Sequence, residues 1–272
     1  MNEEQIEYWN GGAGDMWVAL QERLDRQLGS LGRVAFAALA PRAGERILDV
    51  GCGAGTTTLE LAEAVGPTGR VVGVDVSGQL VATARRRNRS AQVSFVEADA
   101  QTHVFDEPFD AIYSRFGMMF FADPTAAFAN LRRALAPDGR IAFVCWRSVE
   151  ENPFMTAPMV AARKYFPNLP PPPDPEAPGP FALADGARLG RILAAAGFRD
   201  VAIAPHDEKI GGNDRAGTLE LALHIGPLGR LLREHPDKRA VVLDAVRDAV
   251  EALLVDGIGC APSATWVVTA RR

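Results

Sequence analysis

The stretch Asp49-Val-Gly-Cys-Gly-Ala-Gly-Thr56 decides the fold. It follows a short apolar run, Arg46-Ile-Leu-Asp-Val50, and precedes residues 57–65, where Leu59, Leu61 and Ala62 fall at helical spacing. Glycine at 51, 53 and 55 has a mechanical reason. A tight turn leaving a parallel strand needs backbone angles that a side chain resists, and it lets the main chain approach a ligand closely. The helix that follows aims its free N–H groups over the turn. Outward from this unit the rhythm repeats: strand 70–76, helix 78–87, strands 93–97 and 109–114, helix 124–135, strand 139–146. Strands alternating with helices predict an α/β fold, a mainly parallel, doubly wound sheet with helices on both faces.

Before the first strand, Met16, Leu20, Leu24, Leu28 and Leu31 recur at three- and four-residue intervals and predict a helix over 15–39. After the strand at 139–146, residues 150–180 break the pattern, and the run Leu169-Pro-Pro-Pro-Pro-Asp-Pro175 continues neither a helix nor an inner strand. A helix at 185–196, a strand at 200–204, a helical stretch at 218–256 and a strand at 265–270 complete the chain. The expected organisation is an N-terminal helical cap segment (1–40), a core made of 41–149, 181–208 and 263–272, and two cap insertions (150–180 and 209–262) over the carboxyl ends of the strands. The prolines of 170–175 are expected to stiffen a cap loop.

Composition narrows the function. A formal charge of −5 over 272 residues supplies no basic field for nucleic acid or an anionic membrane. No apolar run approaches the roughly 20 residues of a membrane span, and the acidic opening Met1-Asn-Glu-Glu is unlike a signal peptide, so a cytoplasmic protein is expected. Cys52, Cys145 and Cys260 lack metal-ligand spacing, which points to reduced thiols and no metal site. The oligomeric state is left open, a homodimer being one option.

Carboxylates follow the glycine turn at informative places. The pattern is GxGxG, whereas the dinucleotide fingerprint GxGxxG wants a small residue where Thr56 stands. Asp49 either attracts the ammonium of an amino-acid ligand or caps its own turn, and it is a poor neighbour for pyrophosphate. Asp75 ends the second strand about twenty residues beyond the turn, where a carboxylate accepts both ribose hydroxyls of an adenosine. Asp99, in Val96-Glu-Ala-Asp-Ala100, suits an exocyclic adenine amine, with the Ala100 N–H for the ring. A solvated strand-end carboxylate is the plainer reading of Asp99.

Five segments together resemble the class I S-adenosylmethionine-dependent methyltransferases: Ile47-Leu-Asp-Val-Gly-Cys-Gly-Ala-Gly55, Val72-Gly-Val-Asp-Val-Ser77, Glu97-Ala-Asp-Ala100, the run from Ser114-Arg-Phe-Gly to Asp123-Pro124, and the run from Leu131-Arg-Arg to Asp138-Gly-Arg140. The chain is most similar to the bacterial small-molecule branch near the ubiquinone and menaquinone biosynthesis methyltransferases. The resemblance implies a Rossmann-like seven-stranded sheet whose last strand inserts antiparallel, S-adenosylmethionine as cofactor, and a small-molecule methyl acceptor. It gives the cofactor set as Asp49, Gly51, Cys52, Gly53, Gly55, Asp75, Val76, Asp99, Ala100, Ser114 and Arg115, the last two beside the methionine part. In-line methyl transfer by proximity and desolvation needs no conspicuous catalytic residue. Rival readings are a protein of this fold that binds the cofactor without methyl transfer (a cyclase or a regulator), a nicotinamide oxidoreductase, disfavoured by Thr56 and by the lack of a Tyr-x-x-x-Lys pair, and a protein methyltransferase.

Acceptor-side candidates are weaker. Trp9 and Trp17 flank the flexible Gly11-Gly-Ala-Gly14, Met118 and Met119 follow the fourth strand, and Phe154 and Tyr165 lie in the first insertion. Each set reads equally as ordinary packing, and together they suggest an aromatic or lipophilic acceptor. Among four histidines, His206 is the candidate base for a hydroxyl acceptor because it follows the sixth strand.

Overall fold

A computed structural model describes residues 2–169, 174–255 and 258–272. Residues 170–173, most of the proline run expected to stiffen a cap loop, lie outside the described residues. In chain order the elements are α1 (Glu3–Asn10), α2 (Gly12–Ala19), α3 (Gln21–Leu39), β1 (Arg46–Val50), α4 (Thr56–Val65), β2 (Arg70–Asp75), α5 (Gly78–Arg87), β3 (Val93–Glu97), β4 (Phe109–Arg115) and α6 (Pro124–Ala134). There follow β5 (Leu135–Trp146), α7 (Pro153–Ala162), α8 (Gly186–Ala195), β6 (Arg199–Asp214), α9 (Arg215–His224), α10 (Gly226–Glu234), α11 (Arg239–Glu251), β7 (Leu254–Val255) and β8 (Ile258–Arg271).

The strands form one Rossmann-like sheet in the order β3-β2-β1-β4-β5-β8-β6, parallel from β1 to β5, with β8 antiparallel to both β5 and β6. Seven strands make this path, as the motifs imply, and the two-residue β7 adds an eighth beside β8. Reversal of order between β1 and β4 opens a crevice at the carboxyl ends of those strands, where an open α/β sheet places ligands. Side chains that alternate across a strand settle the layers. The Tyr113 hydroxyl on β4 donates to the Gly32 carbonyl of α3 at 2.9 Å, and Tyr113 sits in register with Ala142 of β5. Phe143, the next residue along β5, meets Phe128 of α6 with ring centroids 5.5 Å apart. Helices α3 and α6 therefore cover opposite faces. Ile47, Leu48 and Ile112 of the sheet, Leu61 of α4 and Leu131 of α6 are all fully buried, each worth about 1.5–3 kcal/mol of apolar burial.

Several elements differ from the sequence expectation, the last strand among them, which begins at Ile258 rather than at 265. The single helix expected over 15–39 is two, because the chain bends at Leu20 (φ −106°, ψ 11°). Its backbone stays paired through the bend, the Leu20 N–H donating to the Met16 carbonyl and the Leu20 carbonyl accepting from Leu24. The sixth strand runs on to Asp214, ten residues past its expected end, because β8 offers a continuous edge as far as Ile258. Pro205 is tolerated there since β6 is the edge of the sheet and has a partner on one side only. The stretch at 218–256 divides into α9, α10 and α11, with Pro227 in the opening turn of α10 and Pro236 in a short 3-10 turn that precedes α11.

Helices α7, α9, α10 and α11 share a second apolar core built on Phe166, Leu228, Leu232, Val242, Val246 and Val250, separate from that of the sheet. Polar ties join this lobe, and the end of β6 that leads into it, to the N-terminal helices. Arg23 of α3 pairs with Glu220 of α9 at 2.8 Å, Arg26 donates to Asn213 Oδ1 at 3.2 Å, and the Arg230 guanidinium of α10 stands 6.0 Å from the centre of the Tyr8 ring of α1. Fully buried Asn152, just before α7, clasps Ala264 of β8: its amide nitrogen donates to the Ala264 carbonyl at 3.0 Å and its oxygen accepts the Ala264 N–H at 2.9 Å. Asn152→Ala leaves that N–H buried without a partner and is expected to lower the unfolding free energy by about 2 kcal/mol at an unchanged urea slope, measured by chemical denaturation.

Candidate functional site

The glycines at 51, 53 and 55 adopt φ of +69°, +54° and +87°, so all three occupy the left-handed region. Their surroundings differ. A Cβ on Gly51 would stand 2.7 Å from the Gly117 Cα, and one on Gly55 would stand 2.8 Å from the Phe95 ring and 3.0 Å from the Ala84 Cβ. A Cβ on Gly53 would meet nothing within 4 Å. Gly51 and Gly55 are thus glycine because of the protein around them, while Gly53 faces open space.

Asp49 is fully buried beneath this turn. Its Oδ2 accepts the hydroxyls of Thr57 and Thr58 at 2.7 and 2.6 Å, tying β1 to the first turn of α4, and its Oδ1 has no hydrogen-bond partner. Burial pushes its carboxyl up to about 6, against the two threonine hydrogen bonds and the charge of Arg115. Asp75, at the end of β2, accepts the Gly53 N–H at 2.9 Å through one oxygen and the Ser77 N–H at 2.9 Å through the other. Burial raises its pKa too, while those backbone donors lower it. Fully buried Ser114 donates to the Val50 carbonyl at 2.7 Å and accepts the Gly117 N–H at 3.1 Å, which binds the end of β4 to the end of β1.

Over the turn lies the start of α3. Asp25 pairs with Arg115 at 2.6 Å, and its second oxygen accepts Thr56 Oγ at 2.7 Å and the Gln21 amide at 3.0 Å. Burial raises the Asp25 carboxyl, but the Arg115 charge and the donors from Arg115, Thr56 and Gln21 outweigh it and hold it below the ordinary value. Between α3 and the turn remains a cleft of about 50 Å³ bounded by Trp17, Gln21, Asp25, Gly51, Cys52, Gly53, Arg115 and Phe116, among other residues.

The candidates divide accordingly. Gly51, Cys52, Gly53, Arg115 and Trp17 line the cleft. Gly55 enters α4 behind it and Asp49 lies beneath, while Asp75 borders it through Gly53. Val76 accepts the Asn10 amide at 2.8 Å, which fastens α1 to the end of β2. Asp99 caps its own turn by accepting the Gln101 N–H at 2.9 Å, and the Ala100 carbonyl is held by Asn130 at 3.0 Å. Trp9 meets both Trp17 and Phe120 edge to face. Met118 and Met119 are core residues, 1% and 2% exposed. Phe154 packs on Trp146, whereas Tyr165 lies apart, against the core of the second lobe. His206 bonds Glu208 at 2.8 Å on β6, in register with Thr265, and does not line the cleft.

One charged cleft residue, Asp25, escapes a reading of the sequence, while Phe116 reads there as part of a substrate wall or of the core. Asp25 belongs to an amphipathic helix, where a charged residue reads as solvated. Phe116 has φ +64°, a strained angle for a bulky residue, and its ring stacks on Trp146 at 4.2 Å.

Comparison with known proteins fits this geometry. A family model described as a methyltransferase domain matches residues 47–139, from β1 to the start of β5. The match is to a methyltransferase domain and covers about a third of the chain. Every cofactor-side candidate, from Asp49 to Arg115, falls inside it. A demethylmenaquinone methyltransferase of Lactobacillus johnsonii is 30% identical over 139 residues, 49% of this chain and 57% of that one. The O-methyltransferase cnsE of Penicillium expansum is 31% identical over 194 residues, 70% of this chain and 62% of that one. The chain thus spans under two thirds of the length of these relatives. The crystal structure of the cyclase SpnF covers 89% of this chain at a TM-score of 0.53 and 24% identity, a likeness of fold alone.

Two outcomes follow for the glycine turn and the aspartate beneath it. Gly55→Ala, with a left-handed φ and a Cβ inside contact distance of Phe95, is expected to lose about 2 kcal/mol or more of stability by urea denaturation. For Asp49, an unfolded carboxyl near 3.8 and a folded one near 6 mean that between these values the native state holds a proton the unfolded chain has released. The Asp49 contribution to stability therefore falls as pH rises from about 4 to about 6, by up to about 3 kcal/mol, and is level above. Asp49→Asn removes this slope: urea titrations at a series of pH values should show the variant gaining on wild type across that window and levelling beyond it.

Proposed function

We propose that this chain is a methyltransferase that holds S-adenosylmethionine over the glycine turn and passes its methyl group to a small, planar or lipophilic acceptor. The observation that carries the reading is Gly53, left-handed and open on its outer side, between a buried Asp49 with an unpaired oxygen and the Asp75 carboxylate. These features suit the proposed cofactor. Asp49 and Arg115 receive the amino-acid end, Gly51, Cys52, Gly53 and Gly55 give the main chain close approach, and Ser114 braces the turn from β4. Asp75, with Val76 beside it, receives the ribose hydroxyls, and Asp99 with the Ala100 N–H receives the adenine edge.

The bound cofactor supplies a sulfonium methyl whose charge disappears as it is transferred. Transfer of this kind is favoured by alignment and by exclusion of water. Phe116, stacked on Trp146 behind it, closes the cleft on the β4 side, and Trp17, met edge to face by Trp9, closes it from the N-terminal helices. On this reading residues 1–40, 150–180 and 209–262 act as caps over the core, and Phe154 is the acceptor-side contact that joins this aromatic wall. His206, fixed by Glu208, is the proposed base where the acceptor is a hydroxyl. A relative named as a 2-phytyl-1,4-naphthoquinone methyltransferase and one named as an O-methyltransferase support the same reading.

Calorimetric titration with S-adenosylhomocysteine, with NADH as control, tests the cofactor. Wild type is expected to bind the first alone, and Asp75→Ala to bind it at least tenfold more weakly. Gly53→Ala, at a stability loss of about 1 kcal/mol, is expected to lose most binding by blocking the approach to the turn. Failure of folded wild type to bind would overturn the reading. Binding without turnover on phenols, quinones and amines would favour a protein that holds the cofactor without transferring its methyl group.

A further inference from the structure

Among the residues that line the cleft, Asp25 and Arg115 are the only charged ones, and they face each other across it at 2.6 Å. Their side chains are 20% and 17% exposed, so the pair is largely desolvated and sits among Trp17, Leu24, Leu28 and Phe116. Such a pair repays its desolvation poorly unless further partners satisfy it. Asp25 is held in place: Thr56 and Gln21 fix its second oxygen, which leaves the oxygen toward Arg115 as the presented one.

We propose that Asp25 is a binding residue for the amino-acid portion of the cofactor, receiving its ammonium group while Arg115 receives its carboxylate. This rests on the cofactor reading above. An α-amino acid zwitterion carries the same two charges as the Asp25–Arg115 pair, on groups joined through one carbon. Inserted head to tail, it replaces one charge-assisted contact with two, each charge finding its opposite. The cleft of about 50 Å³ has room for a group of ammonium size and no more, so α3 and the glycine turn separate to admit the ligand. Contact between the ammonium and Asp25 then draws α3 back over the turn. Asp25 lies outside the methyltransferase domain, on a helix that the motifs do not reach, and it adds to Asp49 rather than replacing it.

Full-length wild type, Asp25→Asn and Asp25→Glu are titrated with S-adenosylhomocysteine and with 5′-methylthioadenosine, which keeps the adenosine and thioether but lacks the amino-acid portion. Asp25→Asn is expected to weaken the first ligand by roughly 30-fold or more, as removal of a desolvated charge partner does, and to leave the second unchanged. Asp25→Glu, which keeps the charge, is expected to recover most of the loss. Equal weakening of both ligands would overturn the proposal, because it would make Asp25 a structural support of the lid. Unchanged or tighter binding of S-adenosylhomocysteine would also overturn it, the tighter case meaning that Asp25 competes with the ligand for Arg115. If wild type bound neither ligand, the cofactor reading itself would fall and this inference with it.

Discussion

Two turns touch backbone to backbone at Gly51 and Gly117, and the candidate site is built outward from that contact. A side chain on either glycine would collide with the other's Cα, at 2.7 or 2.8 Å. Because β1 and β4 are adjacent in the sheet, their carboxyl ends leave it side by side. Ser114 joins them by taking one hydrogen bond from each direction, donating to Val50 and accepting from Gly117. This closeness constrains the residues between. Phe116 adopts a left-handed angle that costs on the order of 1–3 kcal/mol, and the neighbouring Arg115 turns toward α3. Strain at one residue is thus coupled to the direction in which the adjacent charge points.

The second dependence runs through the N-terminal helices. They hold few of the motif residues, yet they close the crevice that the strand order opens. Asn10 bonds both the Val76 carbonyl and the Gly78 N–H, which pins the end of α1 to the turn after β2. Gln21 and Asp25 fasten α3 to Thr56 at the opening of α4. Polar contacts of this kind exchange readily with water or ligand, unlike the apolar face of α3 farther along, where Leu31, Ala35 and Leu39 are buried against the sheet. One helix therefore has a fixed end and an exchangeable end.

The turn after β1 was legible because glycine is favoured at 51, 53 and 55, each of which takes a left-handed angle. The parallel strands were legible for a related reason: continuous apolar runs bounded by turns have few alternatives in a sheet covered on both faces. The course of β6 was not. Pro205, Gly211 and Gly212 interrupt any local strand pattern, and the strand persists through that stretch because β8 pairs with it, a fact held in residues some fifty positions away. Asp25 was hidden by the same kind of distance, since its partner Arg115 lies ninety residues on. Cys52 was legible as part of the turn, but nothing local foretold a thiol enclosed beside two carboxylates, where burial first and then Asp75 and Asp49 push its pKa up.

The two apolar cores are unequal in size, and the inequality bears on motion. The sheet core runs without interruption from α3 through every main strand to α8, while the core of α7, α9, α10 and α11 rests on nine buried residues, four of them valine or alanine. Regions that bury less apolar surface open at lower free energy, as cooperative units smaller than the whole molecule. The smaller lobe and its polar ties to α1 and α3 accordingly form the low-energy edge of the native ensemble. Fluctuations that expose the crevice draw on that edge, and the glycine turn, embedded in the larger core, keeps its shape while they occur.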